Sequence, residues 1–128
     1  MGAKVVVVDS CPTRTRRAAE RLASLGCEVR CAQSGYGALH ILQGYRPDLV
    51  IVSWSLEDMM LHEFAEQCKR VSSDCVLMVS IDRAQRARPR GLDDPYIDGW
   101  LPHDGGEHVW VSVLDRTHNS TEALPFQV

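Results

Sequence analysis

The sequence has no long hydrophobic run. No stretch approaches the roughly 20 consecutive apolar residues that a membrane-spanning helix needs. The N-terminus also lacks the charged start and apolar segment of a signal peptide. We therefore expect a cytoplasmic protein with no membrane partner.

Paired cysteine motifs are absent as well. The chain has five cysteines, an odd number, and they form no paired CxxC pattern: Cys11, Cys27, Cys31, Cys68 and Cys75. This disfavours a disulfide framework and a structural zinc site. The simplest interpretation is a set of buried, reduced thiols.

The chain also lacks a strong charge of either sign. A formal net charge of -3 makes nucleic acid an unlikely partner. With 128 residues, of which 45% are hydrophobic and 24% charged, the chain has the composition of one globular domain. We expect that domain to span residues 1–118, followed by a tail at 119–128 that lacks apolar periodicity.

Short apolar segments alternate with helical patterns along the chain. Strands are predicted at 4–8, 27–32, 49–52 and 76–79, with a weak fifth at 100–101. Helices are predicted from Pro12 to Gly26, from a Ser34 cap to Gly44, over Leu61–Val71 and over 109–114. Pro89, Gly91 and Pro95 favour an irregular or shortened fourth helix. Such alternation predicts an α/β fold with a doubly wound parallel sheet, and the alternating second strand is expected at its edge.

In a sheet of this kind, chemistry is concentrated at the carboxyl ends of the strands. The polar residues that follow the predicted strands are the candidates for a functional site: Asp9, Ser10, Ser53, Ser80 and His103.

Two segments resemble the receiver domain of two-component response regulators. KVVVVDSCP is similar to that family's lysine, apolar run, acid pair and proline, and PDLVIVSW resembles the segment that ends at the phosphate-accepting aspartate. The resemblance covers nearly the whole chain. It implies a flavodoxin-like, five-stranded sheet with the strand order 2-1-3-4-5.

The resemblance also assigns the pocket residues one by one. Asp9 takes the place of the first acid and Ser10 that of the second, while Ser53 replaces the acceptor aspartate. Ser80 occupies the place of the family's hydroxyl residue, and His103 that of its lysine.

These substitutions remove the groups that phosphoryl transfer needs. The reaction requires an anionic nucleophile and cations that offset charge on the transferred group, and a serine hydroxyl without a base is a poor nucleophile. With Asp9 as the one carboxylate surely placed, we expect no metal site, no cofactor and no catalytic residue. Glu57 or Asp58 could act as a substitute ligand, but both are expected to be exposed on a loop. Glu57 and Met60-Leu61 also depart from the receiver pattern.

His103 has two interpretations. It could hydrogen-bond with Asp9, Ser10 or Ser53 in a polar niche, which is the simpler one. It could instead titrate near neutral pH, as a pH sensor or a contact to a phosphate mimic.

Four arginines follow the fourth strand within eight residues: Arg83, Arg86, Arg88 and Arg90. They could form a solvated surface whose positive charges are balanced by Asp82, Asp93 and Asp94. Alternatively, they could bind an anionic nucleotide, a cyclic dinucleotide or an acidic partner.

Trp100 and Trp110 are candidate partner contacts, because interface hot spots are rich in tryptophan. Both would map to the output face that the resemblance implies, which is made by helix four, strand five and helix five and could support a homodimer. Core packing is the alternative. A flavin site near Ser10, Thr13 and Thr15 is disfavoured, because the loop has no glycine and contains Pro12.

Taken together, the sequence predicts a non-phosphorylatable receiver-like domain without enzymatic activity. We expect it to act as a protein-interaction module in bacterial two-component-type signalling, with its output supplied by another chain. The alternative is a sensor that binds an anionic ligand through the arginine segment.

Overall fold

The computed structural model describes residues 2–81, 94–102 and 112–114. Strands and helices alternate along these residues, in the order β1 Lys4–Val8, α1 Pro12–Ser24, β2 Glu28–Ala32, α2 Gly35–Leu42, β3 Leu49–Ser53, α3 Leu61–Val71, β4 Val76–Ile81 and β5 Gly99–Pro102. The five predicted strands and the first three helices are therefore confirmed. Residues 112–114 have helical backbone, at the end of the predicted last helix. The predicted fourth helix and the tail at 119–128 lie outside the described residues.

The five strands form one parallel sheet in the order β2-β1-β3-β4-β5. This confirms the predicted order and the edge position of β2. The central strand β3 is buried along its whole length, while β2 is largely exposed. Burial on both faces explains why β3 is a continuous apolar run, whereas an edge strand tolerates alternating polar residues.

Alternate residues of the central strands point to two separate cores. Val6, Val8, Val50 and Val52 belong to the cluster that includes Leu42 of α2 and Phe64 of α3. On the opposite face, Val5, Val7, Leu49 and Ile51 pack with Leu22 of α1 and with Val113. The two-residue period of a strand thus distributes one apolar run between two helical layers.

Helix α1 begins and ends as its sequence predicts. Pro12 lies in the first turn, where its missing N–H costs nothing. At the other end Gly26 has a φ of 88°, and its N–H donates to Ala23 O while Cys27 N–H donates to Leu22 O. This is a Schellman ending, in which glycine takes the left-handed conformation.

The five cysteines are all free thiols, as predicted, but they are not all buried. Cys68 and Cys75 are buried, whereas Cys31 is exposed on the edge strand β2 and Cys11 and Cys27 are half-buried. An edge strand has only one covered face, so a small apolar residue there does not have to be buried. No helix among the described residues is long and apolar enough to cross a membrane.

Candidate functional site

Three of the predicted site residues lie together at the carboxyl end of the sheet. Asp9, Ser53 and Ser80 are buried, with exposed fractions of 4%, 1% and 6%. Ser53 pairs with Ser80 across β3 and β4, and the pairing of Val8 with Val52 makes Asp9 and Ser53 the next residues on adjacent strands. Ser10 follows Asp9 and is half-buried. His103 lies outside the described residues.

The carboxylate of Asp9 is neutralised by an arginine from α1. Arg14 Nε donates to Asp9 Oδ2 at 2.8 Å, and Arg14 Nη2 donates to Oδ1 at 3.0 Å. The N–H of Cys11 also donates to Oδ1, at 2.9 Å. A guanidinium that binds both oxygens of a carboxylate forms the strongest common geometry for such a pair. Sequence reasoning missed this contact and considered only His103 as a cationic neighbour.

The turn between β1 and α1 holds Arg14 in place. Thr15, which is 4% exposed, directs its hydroxyl to the carbonyl oxygens of Asp9 and Cys11, at 3.0 and 2.9 Å. Because helix α1 starts at Pro12, Arg14 falls in its first turn, next to the end of β1. An arginine five residues after the acid, at the start of a helix, is the signal that could have indicated the pair.

Ser53 is bonded to its own loop. Its Oγ lies 3.1 Å from Ser55 Oγ and accepts a long hydrogen bond from Ser55 N–H at 3.4 Å. The backbone continues the sheet for one more bond, because Trp54 N–H donates to Ser80 O at 3.0 Å. Among the described residues these partners are neutral, and a hydroxyl activated by no base is a weak nucleophile.

The two acids of the loop after β3 lie at the surface. Glu57 and Asp58 are both exposed, as predicted. Asp58, however, accepts hydrogen bonds from the backbone N–H groups of Gly35 and Tyr36 at 2.9 and 3.0 Å, at the start of α2. Partial burial raises the pKa of Asp58, but these N–H groups outweigh it and hold the pKa below its usual value of 3.8.

Ser34 completes this cap as the sequence predicts. Its Oγ accepts from Gly37 N–H at 2.9 Å, so Ser34 and Asp58 together bind three of the free N–H groups of α2. The loop after β3 is thereby joined to α2. Within residues 2–81, 94–102 and 112–114, no group of three or more His, Cys, Asp and Glu side chains is arranged to hold a metal.

The remaining candidates are described only in part. Trp100 on β5 is half-buried and packs against the core cluster that contains Val52 and Phe64, which fits the core-packing alternative while leaving part of its ring accessible. Trp110 and the four arginines of the 83–90 segment lie outside the described residues. Asp94 was expected to balance the charge of those arginines. Its side chain is 4% exposed and is bonded to His62 and to Tyr96 N–H.

Solved structures with the same architecture are response-regulator receivers. An N-terminal domain of a three-domain response regulator from Carboxydothermus hydrogenoformans has a TM-score of 0.81 at 20% identity, with 94% of this chain and 97% of that one covered. The chemotaxis response regulator CheY4 of Vibrio cholerae has a TM-score of 0.79 at 21% identity, covering 91% and 99%. A receiver domain protein from Clostridium thermocellum has a TM-score of 0.80 at 16% identity, covering 93% and 96%. This chain has the receiver fold.

At the level of sequence the likeness is slight. No protein-family model matches the chain, and no curated protein matches it significantly. The receiver fold puts Asp9, Ser53 and Ser80 at one end of the sheet, which is where the sequence resemblance placed them. The side chains at that site differ from the receiver pattern. The described residues there are one carboxylate, which is paired with Arg14, and two buried hydroxyls.

Proposed function

We propose that this receiver-fold chain is a signalling module that works without phosphorylation. Its role is to bind a protein partner in a bacterial two-component-type pathway in the cytoplasm, and it has no enzymatic activity of its own. The observation that carries the proposal is the ion pair between Asp9 and Arg14 beside the buried hydroxyl of Ser53.

The ion pair provides, from within the chain, the positive charge that a bound metal would otherwise provide. Asp9 contributes one negative charge and Arg14 one positive charge, so the described part of the site carries no formal excess of negative charge. Magnesium binds through carboxylates and keeps several waters, and it loses water reluctantly. A single carboxylate whose oxygens both accept from a guanidinium is therefore a poor ligand for it.

Ser53 lacks the charge and the activation that an acceptor needs. Its hydroxyl lies 3.1 Å from another hydroxyl, that of Ser55, which is no stronger as a base. Phosphoryl transfer depends on placing a nucleophile in line with phosphorus and on stabilising the charge of the equatorial oxygens. Neither requirement is supported by the arrangement of Asp9, Arg14 and Ser53.

The test is to expose the protein to magnesium and acetyl phosphate and to measure its intact mass. We expect no phosphoryl adduct, and no broad shift of amide resonances around Ser53 when beryllofluoride replaces the phosphodonor. A receiver with an intact acceptor aspartate, treated in parallel, is the positive control. Stoichiometric phosphorylation of this chain would overturn the proposal.

Two exposed apolar side chains support a role in protein interaction. Tyr36 at the start of α2 is 62% exposed, and Met60 before α3 is 72% exposed. Asp58 links the two segments that carry them, since it accepts from Tyr36 N–H and precedes Met60 by two residues. Tyr and Met are enriched at interfaces.

Co-purification of native partners with the tagged chain tests the interaction role. Variants Tyr36→Ala and Met60→Ala probe the surface at the site, and Trp100→Ala probes the predicted output face. We expect at least one of these variants to lose a partner that the unmodified chain retains. Retention of every partner by all three variants would exclude both surfaces, and sedimentation of the unmodified chain would test the possible homodimer.

The alternative function, binding of an anionic nucleotide through Arg83 to Arg90, stays a prediction because those residues lie outside the described ranges. A thermal-shift screen with nucleotides and cyclic dinucleotides distinguishes it from the interaction role. Absence of stabilisation at millimolar ligand would remove it.

A further inference from the structure

Two buried cysteines meet at the far side of α3 from the site. Cys68 lies in the last turns of α3 and Cys75 lies immediately before β4. Their sulfur atoms are 3.9 Å apart, and both residues belong to the core cluster between the sheet and helices α2 and α3. Their exposed fractions are 0% and 2%.

The backbone between the two cysteines is fixed at both ends. Ser72 N–H donates to Cys68 O at 2.8 Å, and Cys75 N–H donates to Ser72 O at 3.2 Å. These two hydrogen bonds hold the backbone of both cysteines in the turn from α3 into β4. A disulfide bond is about 2.05 Å long, so the two sulfurs need to approach each other by roughly 1.9 Å.

The two thiols differ in character. The contact with Cys68 lowers the pKa of Cys75; burial opposes this, and the nearby charge of Lys69 lowers the pKa further. The same contact raises the pKa of Cys68, and burial raises it further. Lys69 is held next to the pair, since its Nζ donates to Cys75 O at 2.7 Å and to Asp98 Oδ2 at 2.8 Å. The positive charge of Lys69, held against the backbone of Cys75, favours Cys75 as the thiolate of the pair.

Both cysteines lie close to the surface along the chain. Gln67, which precedes Cys68, is exposed, and so are Ser73 and Asp74, which precede Cys75. A small oxidant such as hydrogen peroxide is therefore the probe for this pair.

From this geometry we propose that Cys68 and Cys75 form a reversible intrachain disulfide when the protein meets a small peroxide. In the first step the Cys75 thiolate attacks one peroxide oxygen, which gives a sulfenic acid and hydroxide. In the second step the Cys68 thiol displaces the sulfenic oxygen as water, and the S–S bond forms. Two thiols and one hydrogen peroxide thereby yield one disulfide and two waters, and both electrons pass to the peroxide.

The bond would join the end of α3 to the start of β4 covalently. Helix α3 follows the loop at 54–60, which begins directly after Ser53, and β4 carries Ser80 near its other end. Oxidation would therefore restrict the relative movement of the two elements that flank the site. This role is separate from the proposed interaction function and does not depend on it.

The experiment uses a full-length variant in which Cys11, Cys27 and Cys31 are all replaced by serine. The protein is titrated with hydrogen peroxide, alkylated under denaturing conditions and digested with trypsin. Cleavage after Lys69 and Arg70 separates the two cysteines, so a disulfide is detected as two joined peptides. We expect the joined peptides, a loss of two hydrogens in the intact mass, and full reversal by dithiothreitol.

Two comparisons decide the result. Variants Cys68→Ala and Cys75→Ala in the same background must not form the joined peptides, and Cys75→Ala should react with peroxide more slowly than Cys68→Ala. In the unmodified chain, the joined peptides should form while exposed Cys31 is oxidised independently. Full alkylation of Cys68 and Cys75 after peroxide treatment that has oxidised Cys31 would overturn the proposal.

Discussion

At the scale of single residues, the site is defined by Arg14 as much as by the missing aspartate at position 53. A buried carboxylate is costly unless hydrogen-bond donors and a counter-charge face it. In this chain Arg14 and Cys11 N–H provide both for Asp9. The acid that the resemblance assigns to metal binding has instead become part of the structural core of the β1–α1 turn.

Replacement of Arg14 by alanine tests that role. Arg14→Ala leaves Asp9 without its counter-charge, and we expect the free energy of unfolding to fall by roughly 1–2 kcal/mol; solvent around the guanidinium, which is 41% exposed, limits the effect. Urea unfolding measures it. Arg17→Ala, an exposed arginine on the same helix, is the matched control and should change stability by less than about 0.5 kcal/mol. Equal effects of the two variants would contradict a structural ion pair.

Restoring the acceptor alone should not restore the chemistry. We expect Ser53→Asp to remain a poor phosphate acceptor. Ser10 is not a carboxylate that could help to bind magnesium, and the carboxylate of Asp9 is still paired with Arg14. The measurement is magnesium-dependent labelling by acetyl phosphate, with Ser53→Asn as the control. Adding Ser10→Asp and Arg14→Ala to Ser53→Asp should increase labelling. Rapid labelling of Ser53→Asp by itself would show that the pocket is better preserved than we infer.

At the scale of elements, helix ends and short turns position the site. The Ser34 and Asp58 cap joins the loop after β3 to α2, and the Gly26 ending directs the chain from α1 into β2. Such ends stabilise marginal helices by satisfying backbone groups that the helix itself leaves free.

The glycine that ends α1 allows a clean test of this contribution. At Gly26, with a φ of 88°, a new Cβ would meet no atom within 4 Å, so Gly26→Ala should destabilise through the backbone alone, by about 1 kcal/mol. Gly44→Ala is the matched control, since that position is equally open but does not have a positive φ. We expect it to be neutral or slightly stabilising. Thermal unfolding of both variants measures the difference, and similar losses would refute the backbone explanation.

At the scale of the whole molecule, stability depends on contacts between segments that are far apart in the chain. His62 at the start of α3 is bonded to Asp94, in the segment that leads to β5, and Asp98 accepts from both Lys69 Nζ and Leu77 N–H. These contacts join the last described strand to α3 and β4. They are made by charged groups, so they respond to pH and salt.

The contact between His62 and Asp94 predicts a pH dependence. The hydrogen bond to Asp94 and its negative charge raise the pKa of His62 above its usual 6.5. A raised folded-state pKa means that the contact stabilises fully below about pH 6.5 and that this contribution is lost as pH rises through the higher folded value. The urea midpoint of the unmodified chain should therefore fall relative to that of His62→Gln between about pH 6 and pH 8. Parallel pH profiles for the two proteins would contradict this role.

Much of the architecture follows from local sequence patterns. The apolar runs in β1 and β3, the Ser34 cap, the Gly26 ending and the bounds of α3 were all predictable, because each depends on residues within a few positions. The place of Asp9, Ser53 and Ser80 at one sheet edge was also predictable, since parallel strands end together. The resemblance then indicated which positions depart from the receiver pattern.

Side-chain partners, in contrast, were decided by the tertiary structure. Asp58 caps α2, His62 binds Asp94, and Cys68 meets Cys75, although no local pattern pairs these residues. Arg14 binds Asp9, and the position of Arg14 at the start of a helix is the one local signal for that pair. Long side chains reach partners set by how helices pack on the sheet, and that packing sums many small contacts across the whole chain. The sequence by itself determined the strands, the first three helices and, through the resemblance, the position at which Ser53 stands. Only the folded structure decided that the remaining acid is neutralised by an arginine, because that ion pair depends on the angle at which α1 leaves β1.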